Sequence, residues 1–254
     1  MDSGTGDRTP PHPRNDWALF LDVDGTLTMH APRPEEVVLD ARVTPLLQRL
    51  RTKLDGAVAL VTGRSLQALD ALLHPWVTPA AAGLHGLQCR PEPTGVAAPM
   101  VPAAWIAEAV EIAGRHANAV VEAHGPCLYL HWRAAPGAAD AMTAFAHRLA
   151  AAVPTHRLHP GAHGIEIRPQ GMDKGKAILA FMARSPFSGR IPVFAGDDPA
   201  DEPGFEAVNA LGGISVRVGA PRPSAARYAL RDAHAVLAWL TAGGREHPEE
   251  KARE

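Results

Sequence analysis

The chain has 254 residues, 46% of them hydrophobic, and a formal net charge of -2. That is enough for one large domain or two small ones with a sizeable core. The near-balanced charge gives no basic footprint for nucleic acid or an anionic membrane. No early apolar block reads as a signal peptide and no run of about 18 apolar residues could span a bilayer, so a cytoplasmic protein is expected. Cys89 and Cys127 are far apart in sequence and are expected to be reduced apolar fillers.

The first residues, MDSGTGDRTPPHPRND, are rich in Pro, Gly and Asp without a helical period; residues 1–16 are expected to be a disordered lead-in. WALFLDV (17–23) is a near-continuous apolar run, as in a strand covered on both faces. VTPLLQRLRTKL (43–54) carries its leucines on one helical stripe with Pro45 in the first turn. AVALVTG (57–63) is a second buried strand. SLQALDALL (65–73) is a short helix with Ser65 as N-cap, and AAAGL (80–84) a third short strand. This βαβαβ order predicts a doubly wound, mostly parallel (Rossmann-like) α/β sheet.

A proline-rich linker follows Cys89. After it, a helix near 103–116, a hairpin of AVVEAH (119–124) and CLYLHWR (127–133), a helix over 137–152 and strands near 156–160 and 164–168 predict an inserted α+β block. The α/β texture resumes with a helix (174–184), a strand (191–196), a helix (201–211), a strand (213–219) and a helix near 233–241. The expected organisation is therefore a core from 17–94 and 169–243, an insert at 95–168 and a charged tail at 244–254.

Ligands of open α/β sheets bind at the carboxyl ends of the strands, and polar residues fall there in order. Asp22 and Asp24 end the first strand, and Thr62 with Gly63 and Arg64 ends the second. Lys174 opens a helix, and Asp197, Asp198 and Asp201 follow a later strand. The carboxylates suit a hard cation, while the hydroxyl and ammonium suit an anion's oxygens. Lys174 sits at the wrong end of a helix for its charge, which calls for a carboxylate or anion partner.

DVDGT, TGR, the Lys174 helix and GDDPAD resemble, in order, the four motifs of the haloacid dehalogenase (HAD) superfamily of phosphohydrolases, with the insert in the position of its larger cap type. GLHG (83–86), VEAHGPCLYLHWR (121–133), GIEIRPQGMDKG (164–175) and GDDPADE (196–202) are similar to the trehalose-6-phosphate phosphatase family, and the likeness runs from about residue 17 to 240.

The resemblance implies a Mg2+-dependent hydrolysis in which Asp22 attacks phosphorus and Asp24 exchanges protons with the leaving sugar oxygen and the incoming water. It implies that Gly25 lets the backbone approach the phosphate, that Thr26 positions Asp24, and that Thr62 and Lys174 bind phosphoryl oxygens. Asp22, the backbone carbonyl of Asp24, and Asp197 would hold Mg2+, with Asp198 and Asp201 completing the shell directly or through water.

Glu122 and His124, two apart on a strand, share one face, and Glu166 lies on a neighbouring strand. Members of the family use two acidic residues and a lysine here for the distal glucose; Glu122 and Glu166 match, and His124 replaces the lysine. Arg133 and Arg168 are either phosphate or sugar ligands or surface and salt-bridge arginines, and His85 either touches substrate or shapes the turn into the cap. Ala200 stands where the family commonly has threonine.

Thirteen histidines without HExxH or paired-Cys spacing predict no zinc site. The expected partner is a small sugar phosphate, not nucleic acid or membrane. The chain is expected to act as a monomer with a functional link to trehalose-6-phosphate synthase. A phosphatase of another sugar phosphate, such as sucrose 6-phosphate, and a non-catalytic sugar-phosphate sensor are the alternatives.

Overall fold

The computed structural model of the chain describes residues 8–29, 36–91 and 100–242. In chain order the elements are β1 (Trp17–Leu21), α1 (Val43–Lys53), β2 (Val58–Val61), α2 (Leu66–Leu73), β3 (Ala81–Gly83) and β4 (Gln88–Arg90). Next come α3 (Ala103–Ala113), β5 (Val120–His124), β6 (Cys127–His131), α4 (Ala139–Ala152), β7 (His156–Gly161) and β8 (Gly164–Pro169). The chain closes with α5 (Lys174–Met182), β9 (Ile191–Gly196), α6 (Glu202–Ala210), β10 (Ile214–Val218), β11 (Tyr228–Leu230) and α7 (Ala233–Ala242). Two compact units result: Met1–Pro93 with Asp173–Glu254, and Thr94–Met172.

In the first unit seven strands run in the order β11-β10-β9-β1-β2-β3-β4, all parallel except the last, β4, which is antiparallel to β3. β1 is central and all five of its residues are buried, which explains its unbroken apolar sequence. Alternate side chains serve opposite faces. Phe20 meets Phe181 of α5 at 6.0 Å between ring centroids, and Trp17 meets Trp239 of α7 at 6.0 Å. Helices thus cover both faces, as the sequence predicts. The expected Ser65 cap is present: its side chain accepts the Ala68 N–H at 3.1 Å. β4 and β11, which the sequence does not predict, have three residues each and are too short to show a period.

The second unit is a four-stranded antiparallel sheet, β5-β6-β8-β7. Leu128, Leu130, Ile165 and Ile167 on one face pack with Met142, Phe145 and Leu149 of α4 into a core of their own. The other face carries polar side chains.

One expectation fails within the described residues. Residues 8–16, read as part of a disordered lead-in, are pinned to the first unit: the Trp239 indole donates to the Pro11 carbonyl at 2.7 Å, and the Ala229 N–H to the Arg8 carbonyl at 3.0 Å. A part-buried indole N–H needs an acceptor, and this proline-rich stretch supplies one. Residues 1–7 and the expected charged tail at 244–254 lie outside the described residues.

Candidate active site

β1 and β9 are adjacent and parallel, with Leu21 opposite Ala195, so the residues that follow them emerge side by side. The Asp22 N–H donates to the Ala195 carbonyl at 2.9 Å, locking this exit. Carboxylate oxygens of Asp22, Asp197 and Asp201 lie within 4.8 Å of one another. Lys174 reaches in from the first residue of α5, with its Nζ 2.8 Å from Asp22 Oδ1 and 2.6 Å from Asp201 Oδ1. The second Asp201 oxygen accepts the N–H groups of Asp197 and Asp198 at 2.8 and 2.9 Å.

Two glycines make room for this packing. A Cβ on Gly196 would stand 2.3 Å from Asp201 Cγ, and one on Gly175 would stand 2.3 Å from the Pro203 carbonyl oxygen. The first lets Asp201 fold back under the β9 exit. The second brings α5 against α6, which carries Lys174 to Asp201.

Asp22, Lys174 and Asp201 are all buried. Burial pushes the carboxyls of Asp22 and Asp201 from 3.8 up to about 7, while Lys174 pulls both back. Burial also works against the charge on Lys174, yet Asp22 and Asp201 prevail and hold its ammonium above its usual range. Three carboxylates thus gather about one ammonium. An acidic, all-oxygen donor set of this kind fits a hard divalent cation such as Mg2+.

Around this cluster the remaining core residues take distinct places. Asp24 is gripped by Arg64, whose Nε and Nη2 donate to its two oxygens at 2.7 and 2.6 Å. Thr62 is buried, and its hydroxyl oxygen accepts the Arg64 N–H at 3.1 Å. Gly25 turns the chain at a φ of 80°, which an L side chain rarely adopts. His85 also has a positive φ, 55°, and its N–H donates to the Thr62 carbonyl at 3.0 Å. A Cβ on Gly63 would come within 3.0 Å of the His85 ring, so Gly63 and His85 are mutually fitted.

Two residues make contacts that the sequence reading does not specify. Thr26 directs its hydroxyl to Asp197 Oδ1 at 3.5 Å rather than to Asp24, because the turn at Gly25 carries it toward the β9 exit. Asp198 is exposed and does not join the carboxylate cluster. Its Oδ1 accepts the Ala200 N–H at 2.7 Å and, with Asp201, forms a capping box ahead of α6. That cap also explains how Ala200 is accommodated, since the N–H it presents already has an acceptor.

In the second unit, strand register sets Glu122, Tyr129, Glu166 and His159 in one row across the polar face. His124 contacts Glu122 at 3.1 Å. Arg168 lies 3.8 Å from Glu166, and Arg133 is exposed just past β6. Burial, then the Glu166 carboxylate, pushes the Cys127 thiol up to about 12, so it is an inert filler, not a nucleophile.

A family model described as trehalose-phosphatase matches residues 20–234. The chain belongs to the trehalose-phosphatase family. It is 40% identical over 229 residues to trehalose-6-phosphate phosphatase of Escherichia coli (strain K12), covering 88% of this chain and 85% of that one. It is 38% identical over 215 residues to a probable trehalose-phosphate phosphatase of Sinorhizobium fredii, covering 83% and 80%. The fold resembles that of the C-terminal domain of trehalose-6-phosphate phosphatase from C. albicans, with a TM-score of 0.68 at 19% identity, covering 88% of this chain and 91% of that one.

As a trehalose-phosphatase, the chain has its four sequence motifs in one place: Asp22, Asp24, Thr62, Lys174, Asp197 and Asp201 all stand at the carboxyl edge of the first unit's sheet. What sequence reading missed is pairing. The Arg64–Asp24 fork joins residues 40 apart and has no signature in either motif. Tyr129 could have been found, since the alternation in CLYLH puts Cys127, Tyr129 and His131 on one face of their strand.

Proposed function

We propose that this enzyme hydrolyses trehalose 6-phosphate to trehalose and phosphate, with Mg2+ and through an aspartyl-phosphate on Asp22. The observation that carries this reading is the buried Asp22 carboxylate set between Lys174 and Asp197 at the end of β1, in a chain of the trehalose-phosphatase family.

Mg2+ would be held by Asp22 and Asp197, and when bound it offsets negative charge on the carboxylates and the phosphoryl group. An Asp22 oxygen forms a bond to phosphorus as the bond from phosphorus to the sugar oxygen breaks. Asp24 gives that oxygen its proton, then takes one from the water that attacks the aspartyl-phosphate; phosphate leaves and Asp22 is restored. Lys174 and the Thr62 hydroxyl donate to phosphoryl oxygens as charge shifts among them. Asp201 orients Lys174 and the Asp197–Asp198 backbone. On the second unit, Glu122, His124 and Glu166 bind sugar hydroxyls. In this reading the enzyme is a cytoplasmic monomer that completes trehalose biosynthesis on the product of a trehalose-6-phosphate synthase.

The test is phosphate release with Mg2+ from trehalose 6-phosphate, glucose 6-phosphate, sucrose 6-phosphate and an aryl phosphate, beside an Asp22→Asn control. Preference for trehalose 6-phosphate, lost in the control, is the expected result. Preference for another sugar phosphate would keep the chemistry and discard the substrate. Binding without turnover of any ester would make the chain a sensor.

A further inference from the structure

The polar face of the second unit holds an unmet demand. Glu166 Oε1 is buried and makes no hydrogen bond of ordinary geometry among the described residues; the Tyr129 and Cys127 side chains interact with this carboxylate, and Arg168 stands 3.8 Å from its other oxygen. A buried carboxylate oxygen without a well-formed bond is costly, so this one has room for a further donor. Tyr129 is its cross-strand neighbour and, on its other side, the neighbour of Glu122. Burial and the Glu166 carboxylate hold the Tyr129 phenol above its usual range, so it is a neutral hydroxyl that both donates and accepts. Its ring lies edge-on to His124 at 5.6 Å and parallel to His131 at 6.1 Å.

A half-buried aromatic patch flanked by two carboxylates has the chemistry of a saccharide site. Apolar C–H surface of a sugar ring meets the rings, and sugar hydroxyls donate to the acids. We propose that Tyr129 is a specificity-determining residue that seats a glucosyl ring of the substrate between Glu122 and Glu166. Its ring supplies contact area, and its hydroxyl bonds a sugar hydroxyl. This rests on the reading of the enzyme as a sugar phosphatase, because an aryl or other small phosphate ester needs no such seat.

The experiment compares wild type, Tyr129→Phe and Tyr129→Ala on trehalose 6-phosphate and on p-nitrophenyl phosphate with Mg2+. For the sugar ester, KM should rise about tenfold in Y129A and about threefold in Y129F, with kcat little changed. For the aryl ester, kcat/KM should stay within about twofold in both variants. Parallel losses on both esters, or an unchanged sugar KM, would overturn the proposal. If Y129A does not fold, Y129F decides by the same criterion, since it keeps the ring. Wild-type protein that cleaves the aryl ester and leaves trehalose 6-phosphate intact would overturn the functional reading and this proposal together. Activity on the sugar ester with indifference to Tyr129 would overturn the proposal alone.

Discussion

Arg64 holds Asp24 in a two-point fork, with each carboxylate oxygen accepting one guanidinium N–H at 2.6–2.7 Å. The Asp24 side chain is 34% exposed, so the pair contributes little to folding, about 1 kcal/mol or less. What the fork does is fix the direction of the carboxylate. Arg64→Ala should lower kcat/KM about tenfold to a hundredfold with the melting temperature nearly unchanged. Arg64→Lys should recover only part, because an ammonium cannot reproduce the planar fork. Steady-state kinetics and thermal melts run side by side check this; a full rescue by lysine would remove the geometric argument.

Lys174 is a different case, because its two carboxylate partners are buried. Lys174→Met keeps the shape and removes the charge, leaving Asp22 and Asp201 facing each other. The expected cost is about 3–5 kcal/mol of stability together with loss of turnover. Denaturant titration measures the first, and a stable but inactive K174M would show that other groups compensate the acids.

The carboxylate cluster also predicts how acidity and metal interact. Asp22 and Asp201 are raised from 3.8 to about 7 in the folded chain. Between those values the folded protein keeps protons that the unfolded chain has released, so stability falls as pH rises through the window and stays reduced above it. A divalent cation binds the ionised form, so Mg2+ should protect more at about pH 8 than at about pH 5. At a hundredfold excess over Kd the gain is about 2.7 kcal/mol, or about 5–10 °C in melting temperature for a chain this size. Equal shifts at both pH values would contradict it.

The neighbours Asp197 and Asp198 should separate cleanly. Asp197 belongs to the cluster, whereas Asp198 caps the start of the α6 segment. Asp197→Ala is expected to abolish both activity and thermal protection by Mg2+. Asp198→Ala should cost about 1 kcal/mol and leave that protection in place. Melting curves with and without Mg2+ distinguish them.

Gly196→Ala tests the close approach beneath Asp201. The added carbon would sit 2.3 Å from Asp201 Cγ, so Asp201 must move and give up its bonds to Lys174 and two backbone N–H groups. A loss of about 2 kcal/mol or more and at least tenfold in kcat are expected. A near-neutral variant would show that the loop relaxes.

Most of the first unit was legible because its strands are buried on both faces and its candidate catalytic acids sit where apolar runs stop. Asp22 announces itself by following WALFL, and Lys174 by opposing its own helix dipole. The contacts of Thr26 and Asp198 were not legible for one reason: a turn residue's direction depends on φ and on which backbone N–H needs an acceptor, and periodicity carries neither. Arg8 and Pro11 looked like an unstructured leader because their contacts use carbonyl oxygens, which composition does not reveal. On the second unit, Glu122, His124 and Glu166 were legible as candidates. The role proposed for Tyr129 depends on strand register, and register is a property of pairs of strands.

The central position of β1 bears on how the chain is made. One neighbour, β2, is synthesised soon after it, but the other, β9, begins at Ile191, long after the inserted unit has been translated. Until β9 arrives, the nascent sheet ends in WALFL, five consecutive apolar residues with one row of backbone groups unpaired. That is an edge prone to pair with other chains. The insert, with its own core, is free to fold during the delay. A chain interrupted before residue 191 would therefore be an aggregation-prone fragment and a natural client for chaperones, even though more than half of the protein had been made.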